Sequence, residues 1–487
     1  MGTHYICILV ITDKSKVNGN YLNIHLIDER RMTSFLSPRF LCHLLKSYVW
    51  DIDWIWKHDN LQVERYQSKA LRRIVQYAAT VPLYKQRYCN IHPGTIRDIH
   101  DLSMLPFVTK QDFRRYYPQG LVPPGFNMRN AFLVSTSGST GQPVSLYSDP
   151  YTIVKSLMGF IRELREYNIS WRKNKITIIV DLTPNAIEEV YVGKNTLSNL
   201  KCIFPLKNLQ VLHVGDPVEE LMAAIEGFQP DFLGGYPGVL RALAVLKRRG
   251  MGEHVQPVVM ASSGAVLDGY TRGYIERSFG CRLFDVYGST EAGPVAFECQ
   301  EGSYHVHADF VAVECVDGEG VGVPAGSRGR MVVTKLYGRG TPVIRYTGMN
   351  DVVTVLDEEC GCGLGGMVLG EIGGRRVDAV VLPSGRVIPP SAFTGIPGKV
   401  MHELGTDKIL QFQIVQESRE QIDVLVVIDE ALRDEDPVAE VIFRKIEQRY
   451  GEVFGEDMTV TVKEVKEIKK DDEMISPVVI SRVNPGK

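Results

Sequence analysis

Between residues 131 and 287, short apolar runs alternate with amphipathic segments, and this pattern constrains the fold more than any other feature. The strand-like runs lie at residues 176–182, 232–233, 258–261 and 282–286. The segments with helical spacing lie at residues 217–228, 237–249 and 268–279. Strands that alternate with helices in this way form mostly parallel sheets covered by helices. The predicted fold class is therefore α/β.

After about Arg328 the pattern changes to short β-like runs with one amphipathic helix, at residues 437–450. This mixture predicts a small, mobile α+β domain, and the glycine-dense stretch at residues 370–374 is its predicted hinge. Because a chain of 487 residues is too long to fold around a single hydrophobic core, we expect several domains or segments. They are an N-terminal extension of unknown role (residues 1–45), a large domain (46–372) and a C-terminal lid domain (373–487).

Charge and cysteine content exclude several classes of protein. The net charge of −3 gives no attraction to nucleic acid or to an anionic membrane surface. We find no apolar run as long as a membrane span. Nine cysteines form an odd set in a long chain, which argues against a disulfide framework and favours a reducing, cytoplasmic location.

A loop rich in hydroxyl groups and glycine lies between apolar runs at residues 131–134 and 144–147. Its residues are Thr136, Ser137, Gly138, Ser139, Thr140 and Gly141, followed by Gln142 and Pro143. Glycine lets backbone N–H groups point at one anion, and hydroxyls add donors without charge. The ordinary P-loop ends in Gly-Lys-Ser/Thr and opens a helix, so the absence of lysine excludes that reading. The pattern predicts a phosphate cradle between two strands; the alternative is a Ser/Gly-rich surface loop.

Two further motifs follow predicted strands. In the segment at residues 285–291, Tyr287 can stack on a nucleobase and Glu291 can hold Mg²⁺. In the segment at residues 345–351, Asp351 can accept hydrogen bonds from both ribose hydroxyls, and Arg375 can supply a cation near phosphates. Ligand sites in open α/β sheets gather at the carboxyl ends of strands. The alternative for each motif is a solvated turn.

Taken together and in this order, these segments resemble the adenylate-forming superfamily of acyl-CoA synthetases, and most closely its phenylacetate-CoA ligase branch. The resemblance runs from about Tyr66 to Val483 and includes an N-terminal mark at residues 71–84. It implies that ATP and Mg²⁺ activate a carboxylic acid, usually an aromatic one, as an acyl adenylate. Coenzyme A would then attack the adenylate to give a thioester. A homodimer is left open.

The resemblance also implies a role for each matching residue. Glu291 would hold Mg²⁺, Thr290 would contact the α-phosphate, and Asp351 would bind the ribose. The catalytic set is Thr290, Glu291 and Arg375; the nucleotide-binding set is Thr136, Ser137, Gly138, Ser139, Thr140, Gly141, Ser263, Gly264, Ala265, Tyr287, Gly288, Ser289 and Asp351; the acyl-pocket set is Tyr236 and Pro237.

The chain departs from the family in two places. Met349 and Asn350 separate Gly348 from Asp351, which weakens the ribose assignment. The catalytic lysine expected near the C-terminus is missing from residues 473–481, and only Lys469 or Lys470 could replace it. Losing such a charge costs on the order of 3 kcal/mol in the transition state. Two alternatives therefore stay open: AMP transfer to a hydroxyl of a coenzyme, as in a deazaflavin-coenzyme adenylyltransferase, and a nucleotide-binding homologue that has lost adenylation.

A second constellation consists of Cys299, His305, Cys360 and Cys362. Structural zinc takes four Cys/His ligands in a tetrahedron, so these residues predict a structural zinc site. His307 competes with His305, because both would point to the same side of a strand. The alternative is a set of buried free cysteines. Similar cysteine–histidine sets occur in some members of the family.

Overall fold

Within the described residues, an eleven-stranded sheet, a four-stranded sheet and two two-stranded sheets occur together with helices, and the predicted α/β class is confirmed. The computed structural model describes residues 38–136, 143–193, 206–349, 351–357, 360–375, 379–388, 392–406, 408–468 and 478–483.

The helices agree with the predicted alternation. They are α1 (Pro38–Trp50), α2 (Asn60–Ala78), α3 (Pro82–Arg87), α4 (Lys110–Tyr116), α5 (Pro150–Glu166), α6 (Ile187–Val192), α7 (Val218–Phe228), α8 (Pro237–Arg248), α9 (Gly269–Phe279), α10 (Ile396–Glu403) and α11 (Ala439–Phe454). Short 3₁₀ helices lie at Trp54–Trp56, Pro93–Thr95, Ile99–Met104, Gln119–Leu121, Met128–Asn130, Leu206–Asn208 and Glu430–Leu432.

The strands extend beyond the predicted set, mainly between residues 293 and 316. They are β1 (Phe132–Ser135), β2 (Ser145–Ser148), β3 (Ile176–Val180), β4 (Leu209–His213), β5 (Phe232–Gly235), β6 (Val259–Ser263), β7 (Arg282–Ser289), β8 (Gly293–Glu298), β9 (Tyr304–Val306), β10 (Val311–Val316), β11 (Arg328–Lys335), β12 (Asp351–Val355), β13 (Val368–Arg375), β14 (Val380–Val381), β15 (Val387–Ile388), β16 (Ile409–Gln416), β17 (Gln421–Ile428), β18 (Thr459–Glu464) and β19 (Val479–Ser481).

The large sheet has a parallel half and an antiparallel half. Its order within the described ranges is β10-β11-β12-β13-β9-β8-β7-β6-β5-β3-β4. Strands β4, β3, β5, β6 and β7 are parallel neighbours, whereas the pairs from β7 to β10 are antiparallel. The carboxyl ends of the five parallel strands therefore lie along one edge of the sheet.

Local sequence signals explain where the covering helices begin and end. In α9, the Asp268 carboxylate accepts hydrogen bonds from the backbone N–H groups of Tyr270 and Thr271, and Gly280 ends the helix with a φ of 71°. Pro237 begins α8, where its missing N–H costs nothing. Both helices pack apolar residues, including Leu240 and Ile275, into one core against the parallel strands.

The C-terminal sheet has a core of its own. Within the described part of residues 379–483 its order is β18-β17-β16-β19. Apolar residues of β16, β17 and α11 form this core, among them Ile414, Val424 and Ile446. The unit contacts the large sheet's helices through Arg241, whose guanidinium donates to the backbone oxygens of Ile409 and Leu410 at 3.4 Å.

Two expected boundaries fall inside regular elements of the structure. The N-terminal extension was expected to end at residue 45, yet α1 crosses that position, and Leu44 is buried against Val154 and Met158 of α5. The glycine-dense stretch expected to be a hinge forms most of β13, which pairs with β12 inside the large sheet. Glycine does not prevent ladder hydrogen bonds, and the neighbouring strands hold the stretch extended. The division into domains itself stays a prediction. None of the described helices is long and apolar enough to cross a bilayer.

Candidate nucleotide-binding site

The residues expected to contact adenine and the acyl group lie at the carboxyl edge of the parallel strands. In register, Gly235 of β5 pairs with Ser262 of β6, and Ser263 pairs with Val286 of β7. Tyr236, the segment 263–265 and Tyr287 therefore follow one another along this edge. Such an edge is where open α/β sheets bind ligands.

Tyr287 meets Asp351 although 64 positions separate them in the chain. The tyrosine hydroxyl donates a hydrogen bond to the Asp351 carboxylate, which is buried at the start of β12. Asp351 stands opposite Arg375 of β13 in the strand register. The fold thus brings together the backbone positions expected to serve the base, the ribose and the phosphates.

Glu291 is buried and held by a second tyrosine. The Tyr346 hydroxyl donates to Glu291 Oε1 at 2.6 Å, and both side chains are buried. The Tyr346 ring stacks on Phe113, with centroids 5.0 Å apart. Burial, followed by the Glu291 charge, raises the pKa of Tyr346, so its hydroxyl stays a donor at physiological pH. One oxygen of Glu291 is thus fixed in direction.

The expected strands on either side of the hydroxyl-rich loop are confirmed. β1 and β2 pair antiparallel, with Ser135 opposite Ser145. Thr136 closes the ladder: its N–H donates to the Val144 oxygen at 2.9 Å, and its Oγ1 accepts from the Val144 N–H at 2.9 Å. Residues 137–142, which contain Ser137, Gly138, Ser139, Thr140 and Gly141, lie outside the described part of the chain.

The remaining expected contacts lie at the ends of β6 and β7 and on the turns that follow these strands. Gly264 has a φ of 83°, which strains any residue with a Cβ. Ser289 Oγ accepts from the Ala292 N–H at 3.0 Å, which tightens the turn that carries Thr290. Gly288 and Ala265 are exposed at this edge. They leave room for a ligand above the strand ends.

Below the edge, Asp285 forms a buried hydrogen-bonded cluster. Ser262 Oγ donates to one Asp285 oxygen at 2.6 Å, and the Tyr304 hydroxyl donates to the other at 2.7 Å. Burial raises the pKa of Asp285 to about 6, although both hydrogen bonds oppose that shift. The cluster ties β6, β7 and β9 together directly beneath Tyr287.

The four predicted zinc ligands converge. Their ligand atoms (Cys299, His305, Cys360 and Cys362) all lie within 4.8 Å of one another. Cys299 Sγ lies 3.7 Å from Cys360 Sγ, and Cys362 Sγ lies 3.2 Å from His305 Nε2. A tetrahedral zinc with Zn–S bonds of about 2.3 Å places two sulfurs about 3.8 Å apart. Three thiols and one imidazole at these separations fit zinc.

His307 belongs to a different cluster, and His305 is the histidine that lies beside the three cysteines. β9 ends at Val306, so His307 lies beyond the strand and does not share the direction of His305. Its Nε2 lies 3.1 Å from Glu163, and its Nδ1 lies 3.0 Å from Arg162. Arg162 is fully buried and forms a bidentate pair with Asp309, at 2.8 and 3.0 Å. This network joins α5 to the turn before β10.

The structure also shows residues for which the sequence offered no role. Tyr346 belongs to the recognised segment at 345–351, but nothing in the pattern links it to Glu291. Glu188 of α6 accepts a hydrogen bond from the Tyr236 hydroxyl at 2.8 Å, and no spacing signal predicts that contact. Both pairings join residues more than 45 positions apart, so only the fold reveals them.

Solved structures that share the fold of this chain belong to the class of adenylate-forming ligases. No family model matches the chain. A 2-hydroxyisobutyryl-CoA ligase structure, in the postadenylation state with R3-HIB-AMP, superposes with a TM-score of 0.69 at 19% identity, covering 87% of this chain and 90% of that one. The same enzyme in an open conformation with 2-HIB-AMP and CoA gives 0.57 at 17% identity, covering 85% and 90%. These likenesses show the fold.

Sequence relatives point to one branch of that class. A phenylacetate-coenzyme A ligase of Pseudomonas putida is 28% identical over 343 residues, 67% of this chain and 74% of the relative. Another, from Thermus thermophilus, is 26% identical over 369 residues, 69% of this chain and 76% of the relative. The resemblance to the adenylate-forming superfamily and its phenylacetate-CoA ligase branch is thereby confirmed.

Proposed function

We propose that the protein is an ATP-dependent acid–CoA ligase. It activates a carboxylic acid as an acyl adenylate with release of pyrophosphate and then transfers the acyl group to coenzyme A. The similarity to phenylacetate-CoA ligases supports this reaction.

One observation carries the proposal: the contact between Tyr287 and Asp351 at the carboxyl edge of the sheet. A tyrosine ring that stacks on adenine and a carboxylate that accepts from the ribose hydroxyls must lie within one nucleoside of each other. Their direct hydrogen bond satisfies this requirement. Glu291, four residues after Tyr287, then lies toward the phosphates.

In this proposal each group of the chain has one task. The acid's carboxylate attacks the α-phosphorus in line, and charge builds on the nonbridging oxygens, so fixed donors stabilise the transition state. Thr290 contacts the α-phosphate, and the loop from Thr136 to Gly141 holds the outer phosphates. Arg375 contributes positive charge, and Tyr236 and Pro237 border the acyl group.

Two metals belong to the proposal. Glu291 would hold Mg²⁺, which neutralises phosphate charge when bound. The Tyr346 hydrogen bond orients the carboxylate, as the outer partners of metal ligands do. Cys299, His305, Cys360 and Cys362 would hold structural zinc, which would clip β8 and β9 to the segment before β13. The His305 Nδ1 atom is buried and has no hydrogen-bond partner within the described ranges. No hydrogen bond from the described residues at Nδ1 therefore opposes the binding of a metal by the imidazole ring.

The catalytic lysine that is missing near the C-terminus leaves a second candidate function open. Residues 469–477, which include Lys469 and Lys470, lie outside the described ranges. Two other functions are consistent with the missing catalytic lysine. The protein could bind ATP without adenylating an acid, or it could transfer AMP to a hydroxyl group. We also propose that the protein acts in the cytoplasm, and a homodimer stays a prediction.

Pyrophosphate exchange tests adenylation directly. Purified protein is incubated with ATP, Mg²⁺, labelled pyrophosphate and one acid at a time from a panel of aryl and alkyl acids. Acid-dependent label in ATP supports the proposal, and acid-dependent consumption of coenzyme A supports the thioester step. Tight ATP binding without exchange for any acid would refute it. AMP retained on a product without thioester would favour nucleotidyl transfer.

A further inference from the structure

Ionisable side chains lie along the carboxyl edge of the large sheet on both sides of β3. Asp181 directly follows β3, His213 ends β4, and Tyr236 follows β5. Because β3 pairs in parallel with both β4 and β5, these three positions are neighbours. His213 Nδ1 accepts a hydrogen bond from the Leu182 N–H at 3.2 Å, which ties the end of β4 to the segment after β3.

Tyr236 is held at its hydroxyl and along its ring. Its hydroxyl donates to Glu188 Oε1 at 2.8 Å. Its ring lies against Gly264, where an added Cβ would come within 2.4 Å of the ring. The ring therefore borders the segment assigned to adenine, and its hydroxyl reaches the Glu188 carboxylate.

Glu188 lies between this edge and the β1–β2 hairpin. Its helix, α6, follows Asn185, whose backbone oxygen accepts from the Ser135 N–H at 2.9 Å. Tyr191, one turn further along α6, lies beside Gly293 at the start of β8. The Glu188 carboxylate thus lies near the place where the acyl group must sit if the phosphates lie at the hairpin.

The charge on Glu188 is poorly compensated. Burial raises its pKa, the hydrogen bonds from its own backbone and from Tyr236 oppose this, and Asp181 adds to the rise. Among the described residues, neither Glu188 nor Asp181 forms an ion pair. A carboxylate offers about four lone-pair sites, so two donors leave it able to accept more. An apolar acyl group placed against it would remove water without replacing those hydrogen bonds, which disfavours binding of such a group.

The geometry points to Glu188 as a specificity-determining residue that accepts a hydrogen bond from a hydroxyl or ammonium group on the acid substrate. The substrate is then a carboxylic acid with a donor group at its far end, rather than a plain aryl acid. This inference rests on the proposed function. A site built to hydrogen-bond a donor group of the substrate discriminates strongly against the analogue that lacks the donor.

Pyrophosphate exchange with a matched series of acids tests the inference. The series is phenylacetic acid, 4-hydroxyphenylacetic acid and 4-(aminomethyl)phenylacetic acid, which share one scaffold and differ only in the distal group. The expected result is a kcat/KM at least about 10-fold higher for a donor-bearing acid than for phenylacetic acid, since a hydrogen bond to a charged group is worth roughly 1.5–3 kcal/mol.

Variants distinguish the two donors. Glu188→Ala should abolish the preference. Glu188→Gln keeps an acceptor oxygen but loses the charge, so it should keep a preference for the hydroxyl acid and lose one for the ammonium acid. Glu189→Ala is the matched control, because Glu189 lies in the same first turn of α6, and it should keep the wild-type preference.

Three results would overturn the inference. The first is exchange with phenylacetic acid as fast as with both donor acids, which leaves the proposed function standing. The second is a donor preference that survives in Glu188→Ala. The third is absence of exchange with every acid in protein whose melting temperature still rises with ATP, which would overturn the proposed function as well.

Discussion

Replacing Tyr346 with phenylalanine removes one oxygen atom from beside Glu291 and leaves the aromatic ring in place. The ring keeps its stacking on Phe113, and the buried position stays filled. What is lost is the 2.6 Å hydrogen bond to Glu291 Oε1. The variant therefore isolates the support that Tyr346 gives to the proposed magnesium ligand.

The size of the effect follows from that single bond. A hydrogen bond to a charged group contributes about 1.5–3 kcal/mol, and losing a partner that orients a metal ligand lowers metal affinity about 10–100-fold. We expect the Mg²⁺ concentration needed for half-maximal pyrophosphate exchange to rise by about that factor. The exchange rate at saturating Mg²⁺ should fall less, because the carboxylate itself remains.

The assay is a Mg²⁺ titration of acid-dependent exchange at fixed ATP, together with urea unfolding of each protein. Tyr84→Phe is the matched control, since Tyr84 is also fully buried and donates to the Pro342 oxygen at 2.7 Å. The control should lose about 1 kcal/mol of stability with unchanged Mg²⁺ dependence. If Tyr346→Phe loses stability to the same degree and keeps the wild-type Mg²⁺ dependence, Tyr346 is structural only and its hydrogen bond does not orient a magnesium ligand.

Three further predictions concern zinc, pH and backbone conformation. Cys360→Ser should reduce the zinc content to well below one ion per chain in elemental analysis. Cys315→Ser is the control and should keep its zinc, because Cys315 is a buried cysteine outside the cluster. Equal zinc content in both variants would contradict the proposed zinc site. Burial raises the pKa of Asp285 to about 6, so this carboxyl group binds its proton more tightly in the folded chain than in the unfolded chain. Its contribution to stability should therefore fall by roughly 3 kcal/mol as pH rises from about 4 to about 6. Urea unfolding across that range should show a weaker pH dependence of stability in Asp285→Asn than in the wild type, and an unchanged dependence would contradict the argument. Gly264→Ala should destabilise the protein by about 1–2 kcal/mol, because the φ angle of this residue is positive. The added Cβ should also displace Tyr236 and so raise the KM for the acid. A variant with the wild-type melting temperature and KM would show that the turn tolerates a Cβ.

Local signals predicted much of the fold. Helical spacing predicted the ends of α8 and α9 within two residues, because this signal acts within a few turns of chain. The alternation of strands and helices predicted the parallel half of the large sheet for the same reason. Strands β8, β9 and β10 were missed. β8 pairs antiparallel with its chain neighbours β7 and β9, and β10 pairs with β11, so no helix separates these strands and the alternation that predicted the parallel half does not extend to them.

The convergence of the zinc ligands could also be anticipated, because thiol and imidazole groups in local pairs have few other uses. The choice of His305 over His307 could not. It depends on where β9 ends and on the buried Arg162, which engages His307 from α5. The glycine-dense stretch from residue 370 to 374 lies in β13 and pairs with β12, a contact that its sequence does not reveal, and its role as a hinge stays a prediction.

By itself, the order of the motifs determined the class of protein and the kinds of side chain that would meet a nucleotide. Short-range spacing carries that information because phosphate loops, helix caps and strand ends are local. Tertiary structure alone decided which groups touch: Tyr287 with Asp351, Glu291 with Tyr346, and Tyr236 with Glu188. Each contact joins segments whose separation in the chain says nothing about their distance in space, since sheet order and register, rather than sequence, bring them together.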